Sequence, residues 1–399
     1  MFPLSILLNK LIKYGTLNII DTKGKKYCFK GTNNPEVTIR FHDKSLLWKI
    51  LLRPDLIAGE AYMNGSLTIE PPHDIFDFLN LFTKNMEWRP NNPFHLMGGD
   101  PYNRFKGWLS QKNPVAQSKK NVAHHYDLSS QLYDLFLDAD RQYSCAYYLS
   151  PDDSLEQAQL NKKNLISHKL LLKDNHKILD IGSGWGGLAI HIHKTSGAQV
   201  TGLTLSEEQL KIAREKAVKE NITDAVKFEL NDYRHIEEKF DRIVSVGMFE
   251  HVGRKNHQIF FDKIYSRLKD NGVALVHTIG RADGPGATDP WTRKYIFPGG
   301  YAPSLSEISK AIEKSGLYIT DIEVLRLHYA MTLEDWRKRV VENKNKIINL
   351  YDEKFYRMWE FYLSSAECAF RHLGHVVFQF QLAKKQDAVP LDRKYLNDE

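Results

Sequence analysis

Lys177-Ile178-Leu179-Asp180-Ile181-Gly182-Ser183-Gly184-Trp185-Gly186-Gly187 is the stretch whose reading decides the fold. A short apolar run ends at an acid, and glycines then alternate with Ser183 and Trp185 before the helix-forming run from Gly187. This is the pattern of a strand passing into a helix through a turn where the backbone approaches a ligand at the helix N-terminus. An ordinary strand-to-helix turn also uses glycine, so the stretch is a weak signal taken alone.

Working outward, apolar runs recur at Gln199–Leu203, Val226–Leu230, Asp241–Val246 and Val273–Thr278, separated by helical patterns at 187–195, 207–220 and 256–269. Strands alternating with helices at this rhythm predict an α/β, doubly wound parallel sheet. Helices are further expected at Ser129–Leu137, Ser154–Leu172 and Pro303–Ser315, a strand at Tyr318–Leu325, and one or two long aromatic-rich helices over Thr332–Leu373.

Toward the N-terminus the pattern changes. Leu4, Leu7, Leu8, Leu11 and Ile12 repeat at helical spacing, so the apolar segment Met1 to Ile20 reads as an amphipathic helix. Strand-like runs follow at Lys25–Lys30 and Glu36–Phe41, then a helical stretch at Leu46–Leu52, an Asn64-Gly65 turn within Ala61–Glu70, and a helix at Asp74–Lys84. Asn91 to Lys120 is rich in Asn, Pro, Gly and Lys with little periodicity, which places a boundary there. The expected organisation is a small α+β domain over 1–105, a linker at 106–120 and the α/β domain over 121–399.

A chain of 399 residues fits that division, since single cores stop growing at roughly 250 to 300 residues. Lys plus Arg exceed Asp plus Glu by 55 to 49, a mild excess that favours an anionic surface without requiring one. Cys28, Cys145 and Cys368 have no pairable spacing and no CxxC, which fits a reducing compartment and gives no reason to expect a metal site. The cytoplasm is therefore the expected location.

A dinucleotide would want an acid at the end of the second strand, but Val200-Thr201-Gly202-Leu203-Thr204-Leu205-Ser206 ends without one, and no GK[ST] makes a phosphate loop. S-adenosylmethionine, which needs a tight backbone turn and no pyrophosphate cradle, suits the stretch better. Asp180 would hold its amino-acid end, Thr204, Ser206 and Gln209 would surround the ribose, and Asn231-Asp232-Tyr233-Arg234 stands where an adenine would be held. Each polar residue has a plainer reading as a helix cap or turn, Ser206 above all.

From about residue 120 to 380 the sequence closely resembles the cyclopropane fatty acid synthase and mycolic acid cyclopropane synthase family. The likeness is carried by His125-Tyr126-Asp127-Leu128-Ser129, Tyr143-Ser144-Cys145-Ala146-Tyr147, Leu179 to Gly187, Gly202 to Ser206, Asp241 to Gly253 (DRIVSVGMFEHVG), His277-Thr278-Ile279-Gly280 and Tyr295 to Gly300. Gly59 to Gly65 resembles the extra N-terminal domain of the branch that modifies phospholipid. The resemblance implies a Rossmann-like S-adenosylmethionine-dependent methyltransferase fold acting on the cis double bond of unsaturated phospholipid acyl chains. It implies peripheral contact with the inner face of a membrane, a homodimer, and no nucleic acid partner.

The same resemblance puts the cofactor against Tyr143, Ser144, Leu179, Asp180, Gly182, Gly184, Trp185, Gly186, Gly187, Thr204, Leu205, Ser206, Gln209, Asp232, Tyr233 and Arg234. It implies a bicarbonate ion held by Cys145, Glu250, His277, the Ile279 backbone and Tyr329, with Cys145, Glu250, His277 and Tyr329 as the catalytic set. Bicarbonate would take a proton from the transferred methyl, and an anion in an apolar site needs donors around it. His277 and Tyr329 would donate, Glu250 would accept the proton or orient His277, and its own pKa is expected to be raised beside an anion. Tyr126, Tyr133, Phe136, Tyr147 and Tyr148 crowd the approach, some as cation-attracting faces and most as core. Family members often carry a cysteine where Ala366 stands, so Cys368 reads as a small buried hydrophobe.

Two other readings share these features. A methyltransferase that leaves a methyl branch, or methylates an amine, would use the same cofactor site. A non-enzymatic lipid carrier would bind acyl chains without cofactor and leave the glycine turn unexplained.

Overall fold

The computed structural model describes residues 2–86 and 129–396. The chain forms two compact units, one of Met1–Lys106, Thr288–Pro298 and Ala330–His375, the other of Gly107–Ala287, Gly299–Tyr329 and Val376–Glu399.

The second unit carries the α/β architecture expected from the sequence. Its strands β5 (Lys177–Ile181), β6 (Gln199–Thr204), β7 (Val226–Leu230), β8 (Phe240–Val246), β9 (Leu268–Arg281), β10 (Tyr318–Leu325) and β11 (His375–Ala383) form a seven-stranded sheet in the order β10-β11-β9-β8-β5-β6-β7. β5 pairs in parallel with both β6 and β8, so the strand order reverses at β5 and opens a crevice at its carboxyl end. Packed around the sheet are α5 (Ser130–Asp134), α6 (Leu155–Lys169), α7 (Gly187–Ser196), α8 (Glu207–Lys219), α9 (His257–Arg267) and α11 (Leu305–Ser315).

Alternate residues of each strand feed opposite layers, as strand geometry requires. Leu179, Ile181, Ile243 and Val276 enter one buried cluster with Phe378, Phe380 and Leu382. Ile178, Val200, Val244 and Leu275 enter the other with Ile166 of α6 and Leu170, which caps that helix. Asp180 follows Ile178 in phase and His277 follows Leu275, so both belong to the layer that α6 covers.

The first unit holds α1 (Phe2–Leu11), β1 (Tyr14–Ile20), β2 (Lys26–Lys30), β3 (Thr32–Phe41), α2 (Leu46–Leu52), α3 (Pro54–Met63), β4 (Leu67–Ile69) and α4 (Ile75–Met86). With them belong α10 (Pro290–Tyr295), most of α12 (His328–Glu342), α13 (Lys344–Leu350) and α14 (Glu353–His372). The N-terminal apolar segment is not one helix. It stops at Leu11, and Tyr14–Ile20 becomes the strand between β2 and β3, entered through Gly15 at φ 72°.

The grouping also differs from a linear division at 106–120, which lies outside the described residues. Packing explains why 288–298 and 330–375 join the N-terminal elements. A Cβ at Gly59 would lie 2.5 Å from Trp291 Nε1, so only glycine lets α3 seat that indole. Tyr62 donates to Glu360 at 2.5 Å, and His372 meets Asn80 at 2.7 Å. Lys294 pairs with Glu60 at 2.7 Å. Cys368 is fully buried and its thiol is pushed up to about 12 by burial, as a core residue and not a nucleophile would be.

Candidate active site

At the carboxyl end of β5 the glycine turn forms one wall of a cavity. Gly182 and Ser183 both donate their N–H to the Leu203 carbonyl, at 3.0 and 2.8 Å, tying the turn to β6. Gly182, Gly184 and Gly186 all have positive φ, at 85°, 54° and 84°. The cavity is lined by Tyr143, Ser144, Asp180, Gly182, Gly184, Trp185, Thr204, Leu205, Gln209, Asp232, Tyr233 and Arg234, which are twelve of the sixteen residues expected to meet the cofactor.

The other four lie behind it. Leu179 points into the opposite core layer. A Cβ on Gly186 would meet Phe228 at 2.6 Å, and one on Gly187 would meet the Asp140 carboxylate at 2.3 Å, so these glycines make room for protein and not for a ligand. Ser206 caps α8, its hydroxyl accepting from the Gln209 N–H. The cavity also includes Arg141, Gln142, Ser183, Asn231, Gly247, Met248 and His251. Of these, Gly247, Met248 and His251 fall in DRIVSVGMFEHVG, and the proximity of Gly182 to Met248 is what brings that segment to the cavity.

The aromatic wall rests on Tyr133, whose ring stands 4.9 Å from Trp185 and 5.6 Å from Tyr143. Tyr133 and Phe136 are themselves fully buried; Tyr126 lies outside the described residues. Asp232 is held by Arg234 at 2.6 Å. Burial alone would raise the Asp232 carboxyl, but the hydrogen bonds from Arg234 prevail and keep it below the usual carboxylate range. Asp180 is fully buried and pushed up to about 7 by burial, against the pull of Lys162. Its Oδ2 accepts no hydrogen bond among the described residues, so an ammonium entering the cavity meets an unsatisfied carboxylate oxygen. That satisfies one requirement of a zwitterionic sulfonium cofactor, and the adjacent tyrosine and tryptophan faces satisfy another.

Lys162 was not expected from the sequence. It is fully buried on α6 and donates to Gln142 Oε1 at 2.7 Å and Ser144 Oγ at 3.0 Å, both lining residues. Burial lowers its pKa to about 8. The signal was available: Leu155, Ala158, Gln159, Lys162, Leu165, Ile166 and Lys169 form a single helical stripe, so both lysines sit on the buried face.

A second group gathers where β8 and β9 end. Val246 and His277 are opposite in register, and the Gly247 N–H donates to the His277 carbonyl at 2.9 Å. Glu250, in the turn after β8, accepts from the Ile279 N–H at 2.6 Å. The Ile279 backbone donor, expected to serve bicarbonate, is therefore engaged by Glu250. His277 Nδ1 lies 3.1 Å from Gln379 Nε2 of β11, a strand absent from the sequence expectation.

Burial raises Glu250 to about 7, with the Ile279 N–H opposing the rise, and its Oε2 has no hydrogen-bond partner among the described residues. Burial also lowers His277 well below the ordinary histidine value, and Lys162 and Lys169 add to the effect. Cys145 is buried beside Ser144, its thiol donating to the Ala146 carbonyl at 3.2 Å. Tyr329 is buried too, and its neighbour His328 takes the Tyr148 N–H on Nδ1 at 3.1 Å, three residues beyond Cys145.

The mycolic acid cyclopropane synthetase family matches residues 114–380 of this chain. The chain belongs to that family. Among its relatives, the cyclopropane-fatty-acyl-phospholipid synthase of Escherichia coli (strain K12) is 41% identical over 351 residues, covering 85% of this chain and 87% of that one. A probable fatty acid methyltransferase of Pseudomonas putida is 36% identical over 353 residues, covering 84% of each. In structure the chain is similar to the mycolic acid cyclopropane synthase CmaA1 complexed with SAH and CTAB, with a TM-score of 0.63 and 32% identity over 68% of this chain and 98% of that one. As a member of the cyclopropane synthetase family, the protein is an S-adenosylmethionine-dependent methyltransferase with a Rossmann-like fold, and its substrate class is lipid.

Proposed function

We infer that the protein builds a cyclopropane ring on the cis double bond of unsaturated phospholipid acyl chains, with bicarbonate as the base. The observation that carries this reading is Glu250: a fully buried carboxyl with one oxygen on the Ile279 N–H and the other without a partner among the described residues. A carboxyl raised to about 7 is substantially protonated at neutral pH and has a hydrogen to donate to an anion, where an ionised one would repel it. Simple methyl transfer needs no anion site.

S-adenosylmethionine, when bound, supplies the methyl that the alkene takes, and bicarbonate, when bound, supplies the base that removes a proton from that methyl so the ring closes. The remaining work belongs to the chain. Asp180 would take the cofactor's ammonium, Tyr143 and Trp185 would flank its sulfonium, and Thr204 with Gln209, joined at 2.8 Å, would meet the ribose. Glu250, His277, Cys145 and Tyr329 would hold the anion away from water. Burial makes each of their hydrogen bonds count for more than in solvent.

Residues 1–105 are proposed to meet the membrane at its cytoplasmic face. On α2, Trp48 is 56% and Leu52 79% exposed, beside Lys49 and Arg53, a mixture suited to an anionic lipid surface. No helix among the described residues is long and apolar enough to cross a membrane. The homodimer implied by the resemblance is part of the same proposal, and sedimentation of the full chain checks it.

The decisive experiment incubates the protein with vesicles of cis-unsaturated phospholipid and methyl-labelled S-adenosylmethionine, then measures acyl-chain mass and counts double bonds. A gain of one CH2 with loss of the alkene is expected. A methyl branch would move the reading toward the fatty acid methyltransferases, and acyl binding without cofactor-dependent change toward a carrier.

A further inference from the structure

Across three neighbouring strands, polar side chains form a row that runs from the half-buried Glu323 inward to His277. Glu323 of β10 is directly opposite Gln379 of β11, and β11 lies next to β9, which carries His277. On strand β11, Phe378, Phe380 and Leu382 enter one apolar core, while Gln379 and Gln381 alternate with them and are fully buried. Lys169, the last residue of α6, is likewise fully buried: its ammonium pairs with Glu323 and donates to Gln379 Oε1 at 2.7 Å. Asp321 stands 3.8 Å from the same ammonium, and Tyr147 and Arg393 face Glu323 and Asp321 from the rim.

The row has a direction. An ammonium only donates, so the atom of Gln379 that faces Lys169 must be the amide oxygen. The amide NH2 then faces His277 Nδ1, at 3.1 Å, and an NH2 only donates. Nδ1 must therefore be a bare acceptor. A proton placed there would confront the amide hydrogens, so the ring cannot become imidazolium without breaking the row.

We propose that Lys169 and Gln379 are positioning residues that lock His277 in its neutral form with the ring proton on Nε2, making it a hydrogen-bond donor and excluding it as the base. This rests on the reading that His277 belongs to the reaction site. It explains why the site needs a separate base: with Nδ1 engaged and Nε2 already protonated, the imidazole has nowhere to accept a proton. Lys162 and Lys169, the charged groups that act on the ring, both disfavour a second proton, and burial does so most.

The test uses full-length protein labelled with 15N in histidine, with two-bond proton–nitrogen correlation to read each ring and His277→Gln to identify the signal. Wild type is expected to show a protonated Nε2 and a bare Nδ1, unchanged between pH 8 and pH 5. Gln379→Glu places an acceptor against Nδ1, so Nδ1 should become protonated, as the other tautomer or as imidazolium, and kcat should fall at least tenfold with KM for S-adenosylmethionine within about threefold. Gln379→Leu, which removes the partner, should let His277 titrate within the pH range. A protonated Nδ1 in wild type, or an Nδ1 that stays bare in Gln379→Glu, would overturn the lock. Because the ring is read without turnover, absence of cyclopropane product would count against the functional reading and not against this one.

Discussion

Two buried carboxyls stand within the catalytic unit, Asp180 after β5 and Glu250 after β8, and burial lifts each to about 7. Their surroundings are opposite. Asp180 feels a cation, Lys162, and offers an unsatisfied oxygen to a cavity. Glu250 is met by the Ile279 N–H and the Thr278 side chain, and no side-chain charge among the described residues acts on it. The difference teaches that the same raised pKa can serve two purposes. On the proposed reading, Asp180 would ionise once the cofactor's ammonium arrives, whereas Glu250 would stay neutral beside the anion.

The largest test of that contrast is truncation at each site. Glu250→Ala should lower product formation by about 10²–10³-fold, the usual loss when a preorganised donor to an anion is removed. Its affinity for S-adenosylmethionine should stay near wild type by calorimetric titration. Glu250→Gln retains a donor and cannot ionise. It should therefore keep more turnover than the alanine variant and lack the alkaline decline expected of wild type near pH 7 at fixed bicarbonate concentration. Equal cofactor affinity loss in Asp180 and Glu250 variants would erase the contrast.

Stability gives the next effect. A Glu250 carboxyl near 7 when folded, against about 4.3 in the unfolded chain, costs nothing below the lower value, where both states are protonated. As pH rises from about 4.3 to about 7 the unfolded chain loses its proton first, so the wild type loses about 3 kcal/mol. Glu250→Gln escapes this loss. Urea melts should show the variant gaining on wild type between pH 5 and pH 8, and a pH-independent difference would mean the carboxyl is not desolvated.

Asp180→Asn should then weaken S-adenosylmethionine binding by about 10–100-fold, the loss of one charge-assisted hydrogen bond of roughly 1.5–3 kcal/mol. Turnover at saturating cofactor should fall less than in Glu250→Ala.

The two corners also differed in how far the sequence revealed them. The cofactor side is built from contiguous turns, so Asp180 to Trp185, Thr204 to Gln209 and Asp232 to Arg234 could be placed from strand ends alone. The anion side depends on register between distant strands, and Glu250, His277 and Tyr329 were legible only through the family resemblance. Gln379 escaped because β11 follows a long helical run without a turn of the usual kind, although its Phe-Gln-Phe-Gln alternation has strand period. Lys162 and Lys169 are hard to read as functional because lysine is rarely buried, and only their place on the apolar stripe of α6 signals it. In the N-terminal unit, Tyr14–Ile20 was absorbed into a helix because its apolar content has no clear period until its partners β2 and β3 are known.

The smallest effects separate protein contacts from ligand contacts within the glycine turn. At Gly184 φ is 54° and a Cβ would meet nothing within 4 Å. Gly184→Ala should therefore cost only the left-handed backbone term, about 1–2 kcal/mol in a chemical melt without ligand. At Gly182, with φ 85°, a Cβ would stand 2.8 Å from Met248 Cβ, so Gly182→Ala must also displace the segment that leads to Glu250 and should cost measurably more. Because nothing among the described residues opposes a methyl group at Gly184, a drop in S-adenosylmethionine affinity there reports the cofactor's own approach to the turn. Unchanged affinity in Gly184→Ala, with the stability loss present, would move the cofactor away from Gly184 and leave Asp180 as the nearer contact.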